Sequence, residues 1–178
     1  VSRAAGTAEF PARYQLVAAM NPCPCGWAGD PSGRCRCGAE LVRRYRSRVS
    51  GPLLDRIDLH VHVPRLPPHD LRPDAPDGEG TAAVQVRVIA ARARQLGRCG
   101  KPNARMGQAE TMAHCRLQAR DQALLERAVE RLQLSARSLH RILRVARTIA
   151  DLAKSDAIGT AHLTEALGYR GLDRGNAA

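Results

Sequence analysis

Aromatic residues are scarce: the 178-residue chain holds one tryptophan, one phenylalanine and three tyrosines, 3% of its length. Sandwich and barrel cores lean on aromatic and β-branched side chains. A core drawn from Leu, Val, Ile and Ala suits packed helices better. No apolar run approaches the roughly 18–20 residues that carry a helix across a bilayer, so no membrane partner is expected. There is no basic-then-apolar leader, and the expected location is the cytoplasm. Acidic residues are also short, 17 against 28 Lys and Arg, which leaves a formal charge of +11. Such a surplus fits a polyanionic partner: nucleic acid, nucleotide or an anionic membrane surface. It fits equally well an arginine- and alanine-rich composition with no functional meaning. A phosphate-binding loop is missing too. Gly97-Arg-Cys-Gly-Lys-Pro102 invites that reading, but it is not G-x-x-x-x-G-K-[ST], and Pro102 stands where Ser or Thr should hold magnesium. The chain opens at Val1 in mid-pattern and reads as a piece of a longer protein.

Six cysteines without a leader argue against a disulfide framework. Cys99 and Cys115 stand apart and read as ordinary reduced thiols. The other four are clustered. Cys23-Pro-Cys25 and Cys35-Arg-Cys37 flank a turn-rich loop holding Gly26, Gly29, Asp30, Pro31 and Gly33. Two close thiol pairs can complete a tetrahedral S₄ site, the geometry thiolates give Zn²⁺. Arg34 and Arg36 favour the thiolate form by their charge. The spacing C-x-C is tighter than the usual C-x₂₋₄-C, so a zinc site and a metal-free reduced knuckle both stay open.

Along the chain, Tyr14 to Ala19 reads as a short buried strand ended by Asn21-Pro22, since proline cannot donate to a ladder and biases its predecessor away from helix. Asn21 would then sit at a carboxyl strand tip, where open α/β sheets bind ligands; a plain turn is the alternative. Ala39 to Val49 reads as a basic helix broken by Ser50-Gly51-Pro52. Leu59 to Val63 alternates with period two, a strand with His60 and His62 on one polar face. That face reads as solvated rather than as a metal site. Residues 64–80, rich in proline and acid, read as a linker. Beyond it everything is helical: Thr81 to Gly97 with Thr81 as cap, a short helix near Gln108 to Leu117, Gln118 to Leu132, Ser135 to about Lys154, and a Thr160-capped helix to Gly168. The fourth is the clearest. Leu139, Ile142, Leu143, Ala146, Ile149, Ala150 and Ala153 repeat at i, i+3, i+4, i+7, while Arg137, Arg141 and Arg144 share another face. The tail after Arg170 reads as frayed. The fold class expected is mixed and mostly α.

The runs FPARYQLVAAMNPCPCG, DPSGRCRC, SGPLLDRIDLHVHVPRL and LSARSLHRILRVARTIADL stand in an order that resembles the magnesium-chelatase-like AAA+ ATPases of the ComM/YifB type. The likeness extends from the first residues to about Arg170. It implies the carboxyl end of an α/β AAA+ core with a few parallel strands (residues 1–63), a linker (64–80), a helical lid (81–170) and a tail (171–178).

The resemblance also implies roles. Asn21 matches the sensor-1 position, where an amide holds the γ-phosphate and the attacking water. Arg56 in LLDRID matches the arginine finger that reaches a neighbouring subunit's ATP. Arg137 matches sensor 2, which touches the γ-phosphate of its own subunit. Taken as bare residues, the three read as a turn former, a partner of Asp55 or Asp58, and a solvated first-turn residue. No Walker A lysine or Walker B acidic pair is present, so Mg²⁺-ATP would be held mainly by residues upstream, and the piece alone is expected to be inactive. The implied whole is a ring, a hexamer of self-associated subunits, that couples ATP hydrolysis to DNA remodelling by branch migration. The alternatives are a chelatase-like subunit driving metal insertion and a zinc-stabilised nucleic-acid adaptor.

Overall fold

The computed structural model describes residues 2–3, 6–11 and 14–170, and the frayed tail expected after Arg170 lies outside them. The chain divides into two compact units, Val1–Arg48 and Val49–Ala178.

The first unit has little regular structure. Strands β1 (Ser2–Arg3) and β2 (Gly6–Thr7) pair antiparallel, with Ser2 opposite Thr7 and Arg3 opposite Gly6. The strand expected over residues 14–19 is not formed. The segment has no regular secondary structure, and Tyr14, Leu16 and Val17 are exposed. A strand exists only as half of a ladder, and no neighbour pairs with this one among the described residues. The cysteine loop follows, and then helix α1 (Ala39–Arg46), which buries no residue.

The second unit is a helical bundle around α6. It begins at α2 (Gly51–Arg56), so Ser50-Gly51-Pro52 starts a helix instead of only ending one. Ser50 is the N-cap and Pro52 lies in the first turn, where its missing N–H costs nothing. Residues 59–63 form no ladder among the described residues; the His60 N–H bonds the Tyr169 carbonyl at 2.8 Å, and its ring Nε2 lies 3.2 Å from the Leu54 carbonyl. His60 is buried and His62 exposed, so the two do not share a solvated face. Residues 64–80 are irregular apart from a 3₁₀ turn at Pro68–Leu71.

Helix α3 (Thr81–Cys99) runs through Gly97 and stops at Gly100, whose φ of 65° is the left-handed conformation glycine adopts freely. Its N-cap is Gly80, not Thr81. Then come α4 (Gln108–His114), α5 (Ala119–Leu132), α6 (Ala136–Leu152) and α7 (Thr160–Gly168). Ser135 caps α6 as expected, its hydroxyl accepting the Ser138 N–H at 3.1 Å. Thr160 does not cap α7; Gly159 holds that place, and the Thr160 hydroxyl donates to buried Asp121 of α5 at 2.5 Å.

The apolar stripe of α6 forms the core, with Ile142, Leu143, Ala146 and Ala150 packed with Leu125 of α5, Leu163 and Ala166 of α7, and Met106, Cys115 and Ile158 from the connections. Helix α6 touches α2, α3, α4 and α7. Its polar side is also buried at one place. Asp151 accepts from Arg98 of α3 (Nη1 to Oδ2, 3.0 Å) and from Asn103 Nδ2 (2.9 Å), and pairs with Arg147 one turn back at 3.2 Å. Arg147 also donates to the Ser155 and Asp156 carbonyls, at 2.6 and 2.8 Å. These bonds fasten α3, the turn at Asn103 and the end of α6 to one another. No helix among the described residues is long and apolar enough to cross a membrane.

Candidate functional site

Each unit carries its own group of candidate residues. In the first, Asn21 is exposed, and no side-chain hydrogen bond holds it among the described residues. It ends an exposed, irregular segment, not a buried strand. Immediately after it the chain turns. The Gly26 N–H bonds the Cys23 carbonyl at 3.0 Å, and Gly26 takes a φ of 79° that only glycine adopts without strain. This turn brings Cys23 and Cys25 against Cys35 and Cys37, and all four Sγ atoms lie within 4.8 Å of one another. Cys23 is fully buried, and its sulfur accepts the Ala28 N–H at 3.3 Å. Burial pushes the Cys23 thiol up, but the bonds from Cys25 and from backbone N–H groups outweigh it and bring it down to about 6.

In the second unit, α2 is clamped onto α6 through the two acids of Asp55-Arg56-Ile57-Asp58. Asp55 accepts from the hydroxyl of Ser138 and, at 3.4 Å, from that of Ser135. Its other partner is Arg170, fully buried, with Nη2 at 3.5 Å. Arg170 in turn donates to the Ile57 carbonyl at 2.7 Å and to Ser138 Oγ at 3.3 Å. Asp58 accepts from Arg141 at 2.7 Å. Both acids are therefore engaged from the α6 side. Arg56, between them, is exposed and, among the described residues, bonds only the carbonyl of Pro52, at 2.9 Å.

Arg137 is the second residue of α6, bracketed by Ser135 and Ser138. It is exposed and has no ion-pair partner among the described residues. With Gln108, Ala136, His140 and Arg144 it lines an open pocket of about 310 Å³. Two arginines, Arg137 and Arg144, line it beside the first turn of α6, whose macrodipole favours an anion. Arg141, on the same helix face in the sequence, is spent on Asp58, and Arg144 donates to the Met106 carbonyl at 3.0 Å.

The structure thus gathers the four cysteines, links the helix of Arg56 to the start of the helix of Arg137, and leaves Asn21 in the other unit. Sequence reasoning missed Ser138 and Arg170, which join Asp55 to residues more than 80 positions away. The Ser138 hydrogen bond holds the Asp55 carboxyl below the usual carboxylate range; burial opposes it, and the charge of Arg170 adds to it. A carboxyl depressed by folding stabilises the protein above its unfolded pKa, and that contribution is lost as pH falls through the folded value. The chain should lose stability below about pH 4. Asp55→Asn should be less stable at neutral pH yet show a flatter acid limb in denaturant melts between roughly pH 2 and 5; an unchanged acid limb would remove Asp55 from this role.

The family model described as "Magnesium chelatase, subunit ChlI" matches residues 1–71, and "Magnesium chelatase, subunit ChlI C-terminal" matches residues 78–170. Among curated proteins, the chain is 45% identical over 175 residues to "Competence protein ComM" of Haemophilus influenzae, covering 98% of the chain and 34% of that protein. Identity, length and coverage are the same for "Uncharacterized protein YifB" of Escherichia coli. "Uncharacterized protein Rv2897c" of Mycobacterium tuberculosis is 40% identical over 174 residues, 96% of the chain and 34% of the relative. The chain spans about a third of the length of these relatives. Matched along nearly its whole length, with a mostly helical fold, it belongs to the magnesium-chelatase-like AAA+ ATPases of the ComM and YifB type.

Proposed function

We propose that this chain supplies the sensing and triggering groups of a ring-forming, cytoplasmic AAA+ ATPase that spends ATP hydrolysis on DNA remodelling of the branch-migration kind. The observation that carries the reading is the clamp. Asp55 and Asp58 are both taken up from the α6 side, so Arg56 keeps its charge free of either neighbour. Arg137 is likewise exposed at an anion-suited pocket. Arg56 acts in trans as the finger on the next subunit's ATP. Arg137 senses the γ-phosphate of its own subunit, and Asn21 orders the attacking water through its amide. Asp55 and Asp58 position Arg56; they do not touch the nucleotide. Residues 1–63 close the ATPase core, 64–80 link, and 81–170 form the lid.

Mg²⁺-ATP is the substrate. The sequence contains no phosphate-binding G-x-x-x-x-G-K-[ST], so in this reading the phosphates and the metal are cradled outside this chain, and the chain alone does not turn over ATP. Self-association into a ring follows from the need for a neighbour's arginine, and a hexamer is the size the family resemblance implies. DNA as the track rests on the +11 charge and on the competence protein among the relatives.

The competing reading is a chelatase-like subunit driving metal insertion. The full-length protein separates the two. A DNA motor making 6–10 phosphate contacts loses roughly 10³–10⁵ in affinity between 50 and 200 mM salt, and DNA raises its ATP turnover. No DNA binding at 50 mM salt, measured by fluorescence anisotropy on duplex and branched substrates, would leave the chelatase reading standing.

A further inference from the structure

The first unit has almost no core of its own. Among its described residues Cys23 is the single buried side chain, and α1 buries nothing. A unit of this size has too little interior to hold together by apolar burial, and small units of this kind use a metal or disulfides instead. Its cysteines are free thiols, not disulfides.

The sulfur positions have the dimensions of a metal site. In a tetrahedral zinc site with Zn–S of about 2.3 Å, neighbouring sulfurs lie about 3.8 Å apart. Here Cys23 and Cys25 are 3.3 Å apart, Cys23 and Cys35 3.9 Å, and Cys25 and Cys35 3.7 Å. Cys37 completes the four, whose sulfurs all lie within 4.8 Å of one another. That is the span of ligands around one ion; a cluster carrying its own irons and sulfides would push the thiolates further apart. Four thiolates around a dication leave a net negative charge. The Ala28 N–H on Cys23 answers part of it, and Arg34, set over the Trp27 ring at 5.0 Å, and Arg36 lie on the loop itself.

We propose that Cys23, Cys25, Cys35 and Cys37 bind one Zn²⁺ as a closed structural site that serves as the interior of this unit. Four protein ligands leave no open coordination position, so the ion does no chemistry. Its work is mechanical. It ties the turn at residues 22–26 to residues 35–37, and α1 begins at Ala39, just past the last ligand. The Nε–H of Arg46 at the end of α1 donates to the Pro22 carbonyl at 3.1 Å, which closes the unit from the other side. The site stands whether or not the arginines of the helical unit act on a nucleotide.

The test is metal analysis of the purified full-length protein, prepared without chelators. Cys23→Ala and Cys35→Ala, one from each pair, should each contain about one zinc per chain fewer than the parent, and Cys99→Ala should keep it. To guard against a ligand variant too poorly folded to purify, the parent protein is also loaded with Co²⁺, which should give the visible absorption of a tetrahedral tetrathiolate site. Removal of zinc by a chelator should expose residues 22–48 to proteolysis while the helical unit stays protected. Equal zinc in parent and variants, stoichiometric iron in place of zinc, or four thiols that react freely while added Co²⁺ gives no tetrahedral spectrum, would each overturn the site.

Discussion

Arg56→Ala in the full-length protein should cut ATP turnover by about 10³-fold or more, while nucleotide binding stays nearly intact; an arginine supplied in trans to a γ-phosphate is worth about 10³–10⁵ in rate. The structure gives this variant unusual clarity. Among the described residues Arg56 has no acidic partner of its own to strand, because Asp55 is held by Ser138, Ser135 and Arg170 and Asp58 by Arg141. Its bond to the Pro52 carbonyl, within the same short helix, lies at the surface. Truncation should leave the fold and ring assembly unchanged, so a lost rate reports on the guanidinium itself. Mixing Arg56→Ala subunits with subunits lacking only their Walker lysine should restore part of the turnover, since the intact Walker site of an Arg56→Ala subunit then meets the intact Arg56 of its neighbour. Normal assembly without rescue would place Arg56 outside the neighbour's site. Ser138→Ala makes the positioning argument separately. It loosens the seat of Asp55, and it should lower kcat with little change in the KM for ATP.

The cysteine knuckle was legible because its signal is local: two C-x-C pairs separated by turn formers say that four thiols meet, whatever the rest of the chain does. Helix α6 was legible for a similar reason, an i, i+3, i+4 apolar repeat opened by Ser135. Helix α3 opens at Thr81 as the sequence suggests, but its N-cap is Gly80, and it runs past Gly97 to Cys99, because the left-handed residue that ends it is Gly100. The strands expected at residues 14–19 and 59–63 show the limit of pattern reading. Alternation names a face, but a strand also needs a neighbour, and none pairs with either segment among the described residues. His60 was misread for the same reason. Without the ladder, its burial is set by the Tyr169 and Leu54 carbonyls, which no local period reveals. The clamp lay deeper still. LLDRID announces two acids around an arginine, yet whether they pair with that arginine or with α6 is decided by contacts some 80 residues away.

Asp151→Ala should be the most damaging single change in the helical unit, at a cost of about 3–5 kcal/mol, the range seen when one partner of a buried ion pair is removed. Asp151 is 1% exposed and Arg147 2%. The carboxylate is the shared acceptor for Arg98, Arg147 and Asn103, and Arg94 Nε approaches it at 4.0 Å. Its loss leaves three guanidinium groups facing one another with a cavity among them, so repulsion and desolvation act together. A thermal melt should fall by roughly 10–20 °C for a unit of this size. Asp151→Asn keeps the shape and removes only the charge; it should still lose stability, because an amide oxygen cannot balance three cations. The effect should be strongly non-additive. Removing Arg98 in the Asp151→Ala background should cost much less than removing it alone, because the group it binds is already gone. Additive losses in that cycle would mean the network is a set of independent bonds. In the coupled case, α3, the Asn103 turn and the end of α6 melt as one piece, and the face that carries Arg137 and the Asp55 seat keeps its shape only while that piece is intact.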